Sequence, residues 1–349
     1  MHMQRAADVA MGVLSQAARK LDTADPMRAP GLPSALSESL GGPLQARWGG
    51  DRRTRLFEPS FSETSTNSLG FVVTPDDGAM TSSDRRDVST HAVRNLVAAN
   101  FGDDAMRWLD SRSEGFRGQQ TGSQGFGAMY SAGLDSGGLS EAGVTYAWGP
   151  HTASQLAPPV HDMALNAVQA LSALEPFATT IRTGRHSGGQ QISFEISRDL
   201  PLDQLKPLMD AFGMGHQHGS VLTLTSFVLG ARFTLPARSA TLTVMRARSG
   251  HELRLDINLD ALPDAPEQLL PLMRLPLVER PRNLAALDRW VTAMTPDGYF
   301  GPGAVSVLSI RVRPDMPARL AVYLRPILMQ PPEQPSLPVA EPVFAAQGW

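Results

Sequence analysis

The chain has 349 residues, of which 42% are hydrophobic and 19% charged, enough for a large buried core in one big domain or two ordinary ones. The formal net charge is −3 and no run of lysine or arginine stands out, which argues against a nucleic-acid partner. Cysteine is absent, which excludes disulfides, thiolate metal sites and a cysteine nucleophile, and fits a cytoplasmic protein.

The two ends of the chain differ in composition from its middle. The first residues have the amphipathic pattern of a helix without the apolar core of an export signal, and residues 22–50 are rich in Pro, Gly, Ser and Asp. We therefore expect an N-terminal helix and linker over 1–50, one domain over 51–329, and a Pro-rich tail over 330–349. No apolar run reaches the length of a membrane span, so no membrane partner is expected.

Five pairs of short alternating segments, separated by helical stretches, make up the predicted domain. The pairs are 56–63 with 68–75, 128–135 with 142–150, 177–183 with 190–197, 240–247 with 251–259, and 304–314 with 318–326. The stretch "SVLTLTSFVLGARF" over 220–233 is also strand-like and does not fit the count. Strand pairs alternating with helices predict an α+β protein whose antiparallel sheet is covered by helices on one face.

The other face of the predicted sheet is polar in strand after strand. In 252–259, for example, four apolar residues alternate with Glu252, Arg254, Asp256 and Asn258. An open sheet would expose this face to solvent. About ten strands, however, favour closure into a barrel, which would turn the polar face into a hydrophilic lumen.

The last hairpin carries a cluster of cations on its polar face. Arg311 and Arg313 share a face on one strand, and Arg319, Tyr323 and Arg325 share a face on its partner. If they line a lumen, the four arginines should converge on one anion, and Arg313→Gln should weaken anion binding without destabilising the protein. The alternative is that some of these arginines form salt bridges with Glu252, Asp256 and Asp315.

Two histidines lie close together in a Gly-flanked segment. His216 and His218 in "GMGHQHGS" have a spacing that can hold a metal when a third ligand converges. No third ligand is identifiable, so the segment is interpreted as an exposed loop, and no metal site is predicted.

The segment "ARLAVYLRP" resembles the last strand of the ABBA-fold aromatic prenyltransferases, a group that includes the dimethylallyltryptophan synthase type and the cyanobactin prenyltransferases. "SAGLDSGGLSEAGVTYAWGP" and "EPSFSE…LGFVVTP" are similar in layout to the second and first hairpins of that family. The resemblance covers roughly residues 55–328. It implies an ABBA, or PT-barrel, fold: an antiparallel barrel of about ten strands surrounded by helices.

The resemblance also implies a reaction. The family moves a dimethylallyl or longer prenyl group from its diphosphate to an aromatic, indole or peptide acceptor in secondary metabolism, here a bacterial one, with no required cofactor and with Mg²⁺ optional. It implies Glu58 as the catalytic acid that orients the acceptor. The substrate-binding residues expected here are Arg254, Arg311, Arg313, Arg319, Tyr323, Arg325, Thr145, Tyr146, Trp148, Thr243 and Met245.

The chain departs from this family where the family alternates lysine or arginine with tyrosine. Thr145 and Ala147 stand in the second hairpin, and Thr241, Thr243 and Met245 stand in the fourth. The chain contains only two lysines, Lys20 and Lys206. An alternative function is therefore a diverged barrel without diphosphate chemistry that cyclises, isomerises or binds a bulky metabolite, and a third is a structural protein with an open sheet.

Overall fold

Most strands of the fold pair in hairpins with a neighbour in sequence, and helical segments connect one hairpin to the next. The computed structural model describes residues 5–42, 44, 56–76, 79–118, 125–230, 232–247, 250–266 and 268–330. Within these residues the strands are β1 Phe57–Ser62, β2 Leu69–Val73, β3 Ala128–Asp135, β4 Gly138–Ala147, β5 Leu174–Gly184, β6 Gly188–Ile196, β7 Leu200–Pro201, β8 Thr234–Leu235, β9 Ala240–Ala247, β10 Gly250–Asn258, β11 Gly303–Arg313 and β12 Met316–Pro326.

Ten of these described strands close into an antiparallel barrel in the order β1-β12-β11-β10-β9-β6-β5-β4-β3-β2, while β7 and β8 pair separately. The ladder between β1 and β12 closes the barrel and pairs Ser60 with Tyr323. All five barrel hairpins turn at one end, which we call the hairpin end, and the helical connections lie at the other. The predicted barrel of five hairpins is confirmed.

Helices surround the barrel. In the described part of the chain they are α1 Ala6–Leu21, α2 Leu32–Ser39, α3 Ser82–Arg117, α4 Thr152–Gln155, α5 Pro158–Ala170, α6 Leu205–Ala211, α7 His218–Leu229, α8 Leu269–Leu277 and α9 Pro281–Met294. A capping box of Thr81 and Asp84 starts α3, and Gly102, with φ of 81°, interrupts it. None of these helices is long and apolar enough to cross a bilayer.

The two faces of the barrel strands differ as the alternation predicts. In β10, Leu253, Leu255 and Ile257 are buried under the helices, whereas Arg254 and Asp256 line the interior. The helix-facing side removes apolar surface from water, which is the main favourable term in folding. The sheet therefore has its hydrophobic core outside the barrel and its polar side chains inside.

One predicted strand is wrong. Most of the strand-like segment 220–233 lies in α7, because Val221, Leu224 and Val228 recur at helical spacing and bury one side of the helix. The Thr225 hydroxyl is accommodated by donating to the Val221 carbonyl at 2.9 Å, so a β-branched polar residue leaves no unsatisfied group inside the helix.

The histidine segment leads into the same helix. His216 is exposed, and the His218 ring lies 2.9 Å from the Leu202 carbonyl. No group of three or more His, Asp or Glu side chains placed to hold a metal occurs in the described residues.

The ends of the chain are described only in part. Helix α1 packs against α9, where Gln16 Nε2 donates to the Thr295 carbonyl at 2.8 Å. The predicted linker contains a helix, α2, which the composition of 22–50 did not indicate. Residues 45–50 of that linker and residues 331–349 of the predicted tail lie outside the described residues.

Candidate active site

The barrel encloses a cavity of about 360 Å³. Its lining combines charged, hydroxyl and small apolar side chains and excludes most of the large core residues. The charged and polar members among the described residues are Glu58, Ser60, Ser131, Glu141, Thr145, Thr180, Arg182, Gln191, Ser193, Glu195, Arg238, Thr241, Arg254, Asp256, Asn258, Arg311 and Tyr323. Four carboxylates and four arginines lie within this set, so the lining carries no net formal charge.

Three arginines occupy neighbouring positions on three adjacent strands. The register pairs Arg254 of β10 with Arg311 of β11, and Arg311 with Arg319 of β12. Directly opposed residues on antiparallel strands have Cβ atoms about 5 Å apart. We call Arg254, Arg311 and Arg319 the arginine row, and like charges at this spacing repel unless something compensates them.

Carboxylates compensate the two outer members of the row. Arg254 Nε lies 2.9 Å from Asp256 Oδ2, and Arg319 Nη1 lies 3.6 Å from Glu63 Oε1. The central Arg311 has no carboxylate within 4.0 Å among the described residues; its Nη1 donates to Thr64 Oγ1 at 3.3 Å. Its Nε is buried without an acceptor in the same residues. A buried donor without a partner is costly, so this group is suited to receive one from a ligand.

The pKa values of Arg254 and Arg311 shift in opposite directions. Burial lowers the pKa of Arg311, and the nearby Arg254 charge lowers it further. Burial also opposes the charge on Arg254, but Asp256, Tyr323 and Glu252 outweigh this and raise its pKa. Arg311 is thus the cation that gains most from an added negative charge.

Tyr323 joins this cluster from β12. It pairs with Ser60 and with Val307, and its phenolic group acts on the pKa values of both Arg254 and Arg311. The side chain lines the cavity together with Arg254 and Arg311, and it carries both a ring face and a hydroxyl donor.

Two other predicted arginines, like Arg319, do not line the cavity. Arg313 forms an ion pair with Glu252, whose side chain is 2% exposed, and Arg325 Nη2 lies 2.7 Å from Asp260 Oδ1. Arg319 and Arg325 are six residues apart on one strand, which is about 20 Å at the rise of a β-strand. The four arginines therefore do not converge on one point, and the salt-bridge alternative is confirmed for Glu252 and Asp256.

Neutral hydroxyls follow on β9, β6, β5 and β4, beginning at Thr243, which pairs directly with Arg254 of the arginine row. Thr145 Oγ1 lies 2.8 Å from Thr180 Oγ1, and Ser193 Oγ lies 2.8 Å from Thr243 Oγ1. We call these four residues the hydroxyl wall. Met245 pairs with Gln191 and shares its inward face, outside the cavity lining.

The remaining predicted residues divide between lumen and core. Glu58 lines the cavity and is 6% exposed. Tyr146 does not face it: alternation turns its neighbour Thr145 inward, and the Tyr146 hydroxyl bonds to Thr90 of α3 at 2.9 Å. Trp148, beyond the end of β4, packs partly buried against the core.

Phe177, Arg182 and Arg238 are among the lining residues that the sequence-predicted site did not include. Phe177 lies at a register shift between Pro176 and Ala178, which places two successive residues in the lining. Arg182 lies two residues after Thr180 on β5 and therefore shares its inward face, a pattern from which it could have been identified. Arg238 lies outside the strands, with φ of 59°, and no sequence pattern marked it.

Comparison with known proteins gives the fold. No family model and no curated relative matches the sequence. The 5-dimethylallyl tryptophan synthase from Streptomyces coelicolor, in complex with DMASPP and Trp, is 18% identical with a TM-score of 0.68 over 95% of this chain and 98% of that chain. The 6-dimethylallyltryptophan synthase from Micromonospora olivasterospora is 14% identical with a TM-score of 0.65 over 91% and 96%.

A third solved structure adds a bound anion. PriB in binary complex with product diphosphate is 16% identical, with a TM-score of 0.66 over 93% of this chain and 97% of that chain. Coverage of nearly the whole length of each protein means that the barrel and its surrounding helices correspond together. The resemblance predicted from "ARLAVYLRP" is confirmed at the level of the fold: this chain has the ABBA, or PT-barrel, fold of the aromatic prenyltransferases.

Proposed function

We propose that this protein transfers a dimethylallyl or longer prenyl group from its diphosphate to an aromatic, indole or peptide acceptor. The observation that carries the proposal is Arg311 at the centre of the arginine row, a cation that meets no carboxylate among the described residues, inside a barrel of this fold. Arginine stays charged at any relevant pH and binds phosphate oxygens in a fork geometry.

The cavity offers groups for each part of the reaction. Arg311, Arg254 and the Tyr323 hydroxyl would bind the diphosphate, whose carbon–oxygen bond breaks with the electron pair leaving on the diphosphate. The rings of Tyr323 and Phe177 would flank the allylic cation. A ring carbon of the acceptor then forms the new bond and loses its proton, and Glu58 is the proposed acceptor of that proton.

The proposed reaction needs no cofactor, because the arginines supply the positive charge that the departing diphosphate requires. We expect activity to persist in EDTA and Mg²⁺ to change it only moderately. The cytoplasmic location and the role in bacterial secondary metabolism stay predictions. The ligands of the structural neighbours, DMASPP with Trp in one and diphosphate in another, support this substrate class.

Mass spectrometry tests the proposal directly. Incubation with dimethylallyl or geranyl diphosphate and tryptophan, tyrosine or an indole peptide should add one prenyl group to an acceptor. Arg311→Gln should abolish most of this product, whereas Thr292→Val, on the outer face of α9, should leave it unchanged. Absence of product with all these pairs, together with absence of pyrophosphate binding, would contradict the proposal.

A second function is favoured by a different observation. Three of the four arginines that line the cavity have a carboxylate within salt-bridge distance: Arg182 with Glu141, Arg238 with Glu195 and Arg254 with Asp256. A lining without net charge fits a bulky metabolite with a single anionic group, bound without loss of diphosphate. Native mass spectrometry showing such a co-purified molecule, with no pyrophosphate binding, would select this function.

A further inference from the structure

The turn between β1 and β2 contacts the central arginine of the row with a neutral group. Arg311 Nη1 donates to Thr64 Oγ1 at 3.3 Å, and Thr64 Oγ1 lies 2.9 Å from Ser62 Oγ. Thr64 Oγ1 accepts from the guanidinium and shares a hydrogen bond with Ser62 Oγ in which either hydroxyl can donate, and Ser62 Oγ also accepts from the Thr64 backbone N–H at 3.4 Å. The hydroxyl that holds Arg311 is therefore itself oriented.

The residue before Thr64 fixes this turn to the rest of the protein. The Glu63 side chain is fully buried, and its Oε1 accepts from Arg280 Nη1 at 2.7 Å and from Asn283 Nδ2 at 2.7 Å. Its Oε2 accepts from the Leu320 backbone N–H at 2.6 Å. One carboxylate thus joins the turn to α9 and to β12, and Thr64 follows directly after it.

Thr64 differs in charge from the partners of four other arginines on β10, β11 and β12. Arg254, Arg313, Arg319 and Arg325 all meet carboxylates, which orient a guanidinium and also cancel its charge. A hydroxyl orients the guanidinium and leaves the charge in place. Arg311 is consequently held in position while keeping its attraction for an anion.

We propose that Thr64 is a positioning residue for the anion-binding arginine of this barrel. It occupies one Nη1 donor from the hairpin end, so that the Nε, which has no acceptor among the residues that the structure describes, and the remaining donors of Arg311 are presented together to the phosphate oxygens of the donor substrate. This inference rests on the proposed function, because it assigns Thr64 a part in binding the diphosphate.

Three substitutions at Thr64 separate positioning from structural support. Thr64→Val removes the hydroxyl at nearly constant shape, Thr64→Ser keeps it, and Thr64→Asp replaces it with a carboxylate that would pair with Arg311. We expect pyrophosphate affinity, measured by calorimetry, to fall about three- to tenfold in Thr64→Val and more than about tenfold in Thr64→Asp. Thr64→Ser should bind within about twofold of the wild type, as should the control Thr292→Val.

Thermal melts without ligand give the second measurement. A positioning role predicts that Thr64→Asp melts no lower than Thr64→Val, because the new ion pair compensates Arg311. Loss of stability in Thr64→Asp, or failure of Thr64→Ser to restore binding, would indicate a structural role only. A wild type that binds pyrophosphate with the same affinity as Thr64→Val overturns this inference alone, while a wild type that does not bind it overturns the proposed function as well.

Discussion

The arginine row and the hydroxyl wall lie in the same barrel but satisfy their polar groups in different ways. In the hydroxyl wall, Thr145 pairs with Thr180 and Ser193 with Thr243, so each neutral group has a neutral partner. In the arginine row, the outer members have carboxylates, whereas within the described part of the chain the central Arg311 side chain has only Thr64 Oγ1 as a partner. Buried polar groups in native proteins are nearly all paired.

The difference shows where a ligand is expected to act. A surface whose polar groups pair with one another gains little from a new partner, since binding only exchanges one set of hydrogen bonds for another. Arg311 has a buried Nε without an acceptor in the described ranges and a lowered pKa, and a bound anion would supply the acceptor and raise the pKa. We therefore expect the arginine row, and not the hydroxyl wall, to attract an anionic ligand.

Removing the buried anchor of the arginine row should have the largest effect on stability. Glu63→Gln eliminates a fully buried carboxylate that holds Arg280, Asn283 and Leu320. Loss of one partner of a buried pair is strongly destabilising, and because Arg280 is partly exposed we expect about 2–4 kcal/mol. Denaturant unfolding measures this, and a change below about 1 kcal/mol would show that the anchor is not needed.

Arg313→Gln should break the ion pair between Arg313 and Glu252, next to the arginine row, without changing the affinity for pyrophosphate. It leaves Glu252, at 2% side-chain exposure, without its cation, and we expect about 2–3 kcal/mol of destabilisation. This reverses the sequence-based expectation for Arg313. Pyrophosphate affinity should stay near the wild-type value, and an Arg313 variant of full stability that has lost pyrophosphate binding would return Arg313 to the binding site.

Substitution in the hydroxyl wall should have a smaller effect. Ser193→Ala leaves the buried Thr243 hydroxyl without its side-chain partner, at a cost of about 1 kcal/mol. Pyrophosphate affinity should not change, because this wall carries no cation. Calorimetry can compare this variant with Arg311→Gln. If both lose the same affinity for pyrophosphate, the arginine row and the hydroxyl wall do not differ in their role in anion binding.

The pH dependence of stability probes the carboxylate beside the hydroxyl wall. Burial raises the pKa of Glu195, Arg238 lowers it, and Glu175 raises it again. A carboxyl with a raised folded-state pKa binds more protons when folded, so its contribution falls as pH rises through the window above 4.5. Arg238→Gln should raise the pKa further and steepen this fall, which denaturant unfolding between about pH 4 and pH 8 can measure. An unchanged slope in the variant would contradict the coupling between Glu195 and Arg238.

The sequence predicted the faces of the strands but not the pairing of the charges on them. Alternation is local, so Leu253, Arg254 and Leu255 could be assigned to opposite faces directly. The partners of Arg311 and Arg319 are Thr64 and Glu63, more than 240 residues away in sequence. Nothing in the local pattern indicates which arginine meets a carboxylate and which meets a hydroxyl.

A backbone irregularity and tertiary burial account for two other differences between the sequence prediction and the structure. The register shift at Phe177 places an aromatic ring in the lumen against simple alternation. Segment 220–233 has strand-like composition, and tertiary burial of Val221 and Val228 makes it a helix. Glu58, Arg254 and Tyr323, by contrast, lie on regular strands, and their inward orientation follows from the alternation alone.

The most direct measurement is the pyrophosphate-induced shift in melting temperature of the wild type and of Arg311→Gln. Pyrophosphate should raise the wild-type midpoint, because a ligand that binds only the folded state stabilises it. Arg311→Gln should melt at or slightly above the wild-type temperature without ligand and lose on the order of 1.5–3 kcal/mol of binding free energy. An Arg311→Gln protein whose pyrophosphate-induced shift equals that of the wild type would contradict the account.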